Sequence, residues 1–288
     1  MNKNKLILNY QNVCLYESDV EILRTPKSWL NDSCIYFRFT QLSEQAALIN
    51  SCKCKFMDPS ILSFIMHQCD DDDFLDLYSS MSLHEYKHLF IPVNDSMNVE
   101  TDTWKRQGGG SHYSLLFVTI LPTKMMEETT DLKTFDKSSN SCNHHSKKKS
   151  RFLFFHFDSH QGANENVSYM VAQKILKLLT LNDENVYSIS TRDGTAVLSQ
   201  CLTPQQLNYY DCGIYLLKIS EILALSPYIM SYDIDSNRHE FQRTCEEVVQ
   251  TSIVKTSPKH DFANQLRHQM TNEIELLSKK YLLNGKKV

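Results

Sequence analysis

Tyr210-Asp211-Cys212-Gly213-Ile214-Tyr215-Leu216-Leu217 opens the stretch whose reading decides the fold. From Gly213 to Leu225 the chain is so apolar that it reads as a buried helix rather than a surface one. Such a helix needs layers around it, and the flanking sequence supplies them. Upstream, Leu89 to Val93, Tyr113 to Leu121 and Phe152 to Phe157 read as strands, with a weaker one at Val186 to Ser190. The second and third are nearly unbroken apolar and aromatic runs, which marks central strands covered on both faces.

Helices are expected before and after these strands. Asn31 or Asp32 can cap one whose apolar face is Cys34, Ile35, Phe37, Phe39 and Leu42. Pro59 opens a second, over Ser60 to His67. The acids Asp70 to Asp73, ahead of Phe74-Leu75, suit the positive end of a third; a calcium loop would need spaced acids and a glycine turn. Val167 to Leu179, His239 to Val254 and Phe262 to Leu282 show helical periodicity. Residues 1 to 28 read as an arm that runs into Pro26 and then Trp29-Leu30. Thr123 to Ser150 reads as a long polar loop ending in Lys147-Lys148-Lys149, a solvated tip rather than an import signal. Helices, then strands, then helices around one buried helix predict a single α+β domain over residues 1–288, with 123–150 as a loop insertion.

The 288 residues carry a formal charge of −4, which argues against a dedicated nucleic-acid binder, and 41% hydrophobic residues, enough for a substantial core. No apolar run approaches the roughly 20 residues that cross a bilayer, and no secretory segment follows Lys3 and Lys5. The nine cysteines are odd in number and irregularly spaced. Together these features predict a soluble cytoplasmic or nuclear protein with reduced thiols. Cys52-Lys53-Cys54 and His67-Gln68-Cys69 lack the C-x2-4-C spacing that turns two sulfurs onto one ion. No metal and no cofactor is expected.

Seven glycines are few, since average usage would give roughly 20. Gly108, Gly109 and Gly110 lead to His112, at the mouth of a central strand. Gly213 follows Cys212, where it would let a substrate backbone come close. Cys212 itself stands at the start of the buried helix, where unsatisfied amides and the helix dipole favour a thiolate. Taken alone, a buried inert cysteine is the commoner reading. A thiolate needs a base, and the base an orienter. His112 and Asp158 lie at the start of one central strand and just past the end of the next, so they meet if those strands are neighbours. His156 and His160 compete for the base role but share the aspartate's own strand and turn. Gln206, shortly before Cys212, can donate an amide N–H to a developing oxyanion.

Trp29-Leu30-Asn31-Asp32, His112-Tyr113-Ser114-Leu115-Leu116, Phe155-His156-Phe157-Asp158-Ser159 and Gln206 to Gly213 come in an order that resembles the ubiquitin-like protease (Ulp/sentrin-specific protease) family, and within it the deneddylating branch. The likeness spans about residues 8 to 48 and 86 to 225. It implies a papain-like α+β fold, with a central mixed sheet and a buried helix carrying the nucleophile. It implies a monomeric isopeptidase that cuts after the C-terminal Gly-Gly of a ubiquitin-like modifier, Nedd first and SUMO second. The implied triad is His112, Asp158 and Cys212, with Gln206 as oxyanion donor and a thioester intermediate. Trp29 would be one wall of a channel narrow enough to admit only Gly-Gly, and Asp32 would lie near the modifier's tail. Tyr113 stands where the family often has a tryptophan as the opposite wall. The loop 123–150 and residues 226 to 262 are longer than in the deneddylating branch. The rival of another class is a catalytically silent binder of a ubiquitin-like protein.

Overall fold

The computed structural model describes residues 4–50, 53–98, 110–121, 152–181, 187–192, 194–232, 237–256 and 262–283. The expected loop 123–150, Gly108, Gly109 and Val186 lie outside the described residues. The chain opens with strands β1 (Leu6–Tyr10) and β2 (Val13–Tyr16) and helix α1 (Glu17–Arg24), followed by α2 (Asp32–Ile49) and β3 (Cys54–Phe56). Next come α3 (Pro59–His67), α4 (Asp71–Met81), β4 (His88–Asn94), β5 (Tyr113–Ile120), β6 (Phe152–Phe157) and α5 (Glu165–Leu179). The remainder is β7 (Ile189–Ser190), β8 (Ala196–Cys201), α6 (Cys212–Ala224), α7 (Pro227–Ser231), α8 (Arg238–Thr256) and α9 (Phe262–Leu283).

Within the N-terminal arm, residues 6 to 24 form two strands and a helix that the sequence reading did not assign. β1 and β2 form an antiparallel hairpin with Tyr10 opposite Val13, and its two turn residues, Gln11 and Asn12, both take positive φ. Asp19 of α1 then accepts the N–H of Tyr16 and, through its other oxygen, the side-chain N–H of Asn31. Asn31 in turn caps α2 by accepting from the Cys34 N–H, as its residue type suggests. The acid run also acts as expected: Asp70 and Asp73 form a reciprocal cap on α4.

Among the described residues the main sheet runs β3-β4-β5-β6-β8-β7. β4, β5 and β6 pair antiparallel, whereas β3 joins β4, and β8 joins both β6 and β7, in parallel. The sheet is therefore mixed and central. Leu115 and Phe117 of β5 face a cluster that includes α6, while Leu116 and Val118 face another that includes α5. This two-sided cover is why those strands read as continuous apolar runs. α6 sits in the first cluster, with Ile214, Leu217 and Leu223 wholly buried. Residues 226 to 262 add α7 and α8, whose Ile229, Phe241 and Cys245 complete the cover.

Candidate active site

Antiparallel pairing of β5 with β6 sets the start of one beside the end of the other. Leu115 pairs with Phe157, so the next step places Ser114 against Asp158, and His112 is the following residue on that same face. The His112 ring accordingly meets Asp158, with Nε2 donating to Oδ1 at 2.6 Å. The backbone N–H groups of His160 and Asn164 also donate to that carboxylate, at 2.9 and 3.1 Å. Burial opposes ionisation of Asp158, yet the His112 contact and the two N–H groups outweigh it and hold its pKa below the ordinary value.

The other side of the imidazole serves Cys212, whose thiol is in hydrogen-bonding contact with it. Burial alone would lower the pKa of His112. The hydrogen bond and charge of Asp158, together with Cys212, overcome that and raise it to about 9. The imidazolium is thus the resting form at neutral pH, a fitting partner for a thiolate. Cys212 is the first residue of α6 and only 3% exposed, so its own N–H has no partner within the helix. Asp211, in the N-cap position, accepts from Asn208 Nδ2 at 2.9 Å and from Arg267 at 3.1 Å. The structure brings His112, Asp158 and Cys212 together.

Gln206 lies in the same loop, its backbone N–H on Ser159 O at 2.9 Å and its Oε1 accepting from the Ser159 hydroxyl at 2.8 Å. One side-chain N–H donates to Asn208 O at 2.6 Å, which leaves the amide its second donor. Trp29 is half exposed and donates its indole N–H to Tyr209 O at 2.8 Å, so the tryptophan and the loop before the cysteine form one ledge. Tyr113 is buried. Its hydroxyl donates to Asp32 and also meets Asn94, so it offers little surface as the wall opposite Trp29. Burial raises the Asp32 pKa, against the lowering effect of the tyrosine hydroxyl. At Gly213 a Cβ would meet Leu30 at 3.1 Å, so the glycine lets the Trp29-Leu30 segment pack closely on the start of α6.

The rival histidines are occupied otherwise. His156 is buried between Gln200 and Ser114, at 2.5 and 2.8 Å, and burial keeps it uncharged by lowering its pKa. His160 stands edge-on to His112, with centroids 5.8 Å apart. The contacts made by several supporting residues escaped the sequence reading. Asp95 accepts the N–H of Ser111 and of His112, at 2.6 and 3.0 Å, and so fixes where β5 begins. Gly110 passes so close that a Cβ would lie 1.9 Å from Asn94 Oδ1 and 2.0 Å from Asp95 Oδ1; close packing, rather than flexibility, requires glycine there. Asn164 donates its amide to Val93 O, His112 O and the Ser114 hydroxyl. Among the described residues no group of His, Cys, Asp or Glu side chains is arranged to hold a metal ion.

A family model, "Ulp1 protease family, C-terminal catalytic domain", matches residues 28–253. The chain belongs to the Ulp1 protease family. As a Ulp1-family protein it is a cysteine-type peptidase, of the kind that acts at the C-termini of ubiquitin-like modifiers. It is 30% identical to NEDD8-specific protease 1 of Arabidopsis thaliana over 76% of this chain and 75% of that one. It is 26% identical to Sentrin-specific protease 8 of Homo sapiens, over 76% and 81%. A solved de-sumoylating protease superposes with a TM-score of 0.59 at 15% identity, covering 99% of this Ulp1-family chain and 95% of its own, which shows a shared fold. Among the described residues no helix is long and apolar enough to cross a membrane.

Proposed function

We propose that the chain is a deneddylating isopeptidase in which Cys212 is the nucleophile, His112 the acid–base, Asp158 its orienter and Gln206 an oxyanion donor. The observation that carries this reading is the His112 ring held between Asp158 at 2.6 Å and the Cys212 thiol at the start of α6. The thiolate adds to the carbonyl carbon of the modifier's last glycine. The negative charge that develops on the carbonyl oxygen is met by the Cys212 N–H and the second N–H of Gln206. As the C–N bond breaks, the leaving lysine amine takes the proton from His112. Water then adds to the thioester, giving up one proton to His112, and the C–S bond breaks to release the modifier's carboxylic acid, which loses its proton to solvent, and to restore the thiolate–imidazolium pair. Trp29, on its ledge with Tyr209, closes one side of the approach against any residue bulkier than glycine. Asp32 receives the tail just upstream. The whole chain acts as one peptidase unit, with 123–150 inserted in it.

The relative named NEDD8-specific protease 1, at 30% identity, supports Nedd as the modifier; the likeness to the de-sumoylating protease rests on fold alone. A panel of Nedd, SUMO and ubiquitin carrying C-terminal electrophiles tests this directly. The full chain should form a covalent adduct with the Nedd probe first, and Cys212→Ala should bind Nedd without capture. Preferential capture of SUMO transfers the same chemistry to that modifier. Capture of none, with binding retained, leaves the silent binder.

A further inference from the structure

Arg267 of α9 is buried at 4% exposure, 55 positions beyond Cys212 in the chain, yet its guanidinium ends at the nucleophile's doorstep. One nitrogen donates both to Asp211 Oδ1 at 3.1 Å and to Ser28 O at 2.6 Å, and the other reaches Ile22 O at 3.4 Å. Ser28 precedes Trp29, and Asp211 precedes Cys212. A single side chain therefore ties together the two segments that flank the site. Lysine, a point charge without the planar fork, would not span these acceptors at once.

The charge has a second consequence. An aspartate in the N-cap position supports its helix, but a carboxylate one residue before a cysteine disfavours the thiolate. The titratable groups that bear on Cys212 are His112 from the start of β5, hydrogen-bonded to Asp158, and Tyr113, hydrogen-bonded to Asp32 of α2; the Asp211–Arg267 pair stands one residue before it in the chain. Among the described residues this pair sets a negative charge at the start of the cysteine's own helix and a positive one against it from another helix. We propose that Arg267 is a positioning residue for the nucleophile: its guanidinium neutralises Asp211, one residue before Cys212, and fastens the Ser28–Trp29 segment to the same helix start. The inference rests on Cys212 as nucleophile.

Peptide-resolved alkylation of the full chain by iodoacetamide, followed from pH 4 to about 10, reads the Cys212 thiolate without any modifier present. Arg267→Met should move the midpoint for Cys212 up by about one pH unit, so that labelling on the acid side slows about tenfold. Asp211→Asn should move it down, and the double variant should return it to within ~0.3 of wild type. An unmoved midpoint in Arg267→Met, or a double variant that stays with Arg267→Met, overturns the proposal by leaving only a packing role. If thermal unfolding shows that Arg267→Met does not fold, Asp211→Asn decides alone, and an unchanged or raised midpoint there refutes it. Wild-type Cys212 reacting no faster at pH 6 than Cys14 removes the nucleophile reading itself, and this inference with it.

Discussion

Replacing Asp158 by asparagine keeps the shape of the site and removes the charge that holds His112 in its protonated form. The His112 pKa of about 9 stands well above the ordinary 6.5, and it does so against burial, which pulls the other way. Asp158 supplies the first of the raising influences, through a 2.6 Å hydrogen bond and its charge, and Cys212 supplies the rest. An opposite charge at such a distance shifts a partner by about one to three units, so the variant's ring should titrate near 7. At pH 6 the imidazolium then survives in both proteins. At pH 8 it falls to about a tenth in the variant while remaining the dominant form in the wild type. The tautomer is disturbed at every pH, a loss that reaches ~10⁴ in serine proteases, but that loss is flat with pH. The signature is therefore in the ratio. Wild-type over variant kcat/KM, measured on a modifier with a fluorogenic C-terminal amide, should grow about tenfold between pH 6 and pH 8, and the variant's alkaline limb should lie about two units lower. A ratio that stays flat from pH 6 to pH 9 would refute the idea that Asp158 sets the charge state of His112.

The same pair ties stability to pH. The raised pKa of His112 stabilises the fold fully below pH 6.5 and ceases to do so as the pH rises through about 9; the lowered pKa of Asp158 acts above the ordinary carboxylate range and is lost as the pH falls through its depressed value. Urea unfolding of wild type and His112→Gln should therefore show the wild type losing up to about 3 kcal/mol more than the variant between pH 6 and pH 10, and parallel curves would count against the raised pKa. Gly110→Ala, with its Cβ pressed to within 2.0 Å of two side-chain oxygens, must displace the turn from which His112 hangs. It should cut kcat roughly 10² fold through misplacement of about an ångström, whereas Gly162→Ala, with nothing within 4 Å and only a φ of +85° to strain, should lose stability of about 1 kcal/mol with kcat nearly intact. Equal kcat in the two variants would sink the positional argument.

What the sequence made legible is what local chemistry or period encodes. The caps at Asn31 and Asp70, the proline at the start of α3, the two-faced strands β5 and β6 and the buried α6 all carry their instructions within a few residues. The β1–β2 hairpin went unread because its turn is Gln11-Asn12. Both take positive φ, as a two-residue hairpin turn demands, but without the glycine that usually announces it. β8 was missed for a related reason. Its Ala196-Val197-Leu198 half is buried and apolar, but Ser199-Gln200-Cys201 breaks the run, although the strand lies between β6 and β7. At the site, the three residues of the proposed triad could be named, because each sits at an element end and the order of strands brings those ends together. The residues that hold them could not. Asp95 grips the backbone of His112, Asn164 bridges three acceptors on β4, His112 and β5, and Arg267 reaches Asp211 from the last helix. Asp, Asn and Arg are unremarkable at those positions by composition or spacing. Their meaning arises only when β4, β5, α5, α6 and α9 converge, since each pairs with a backbone or side-chain group that is far away along the chain. A nucleophile and its base are set by intrinsic reactivity and can be guessed from residue type. Orientation is a property of the fold, and here one carboxylate, one amide and one guanidinium, each from a different element, fix the reactive groups relative to one another.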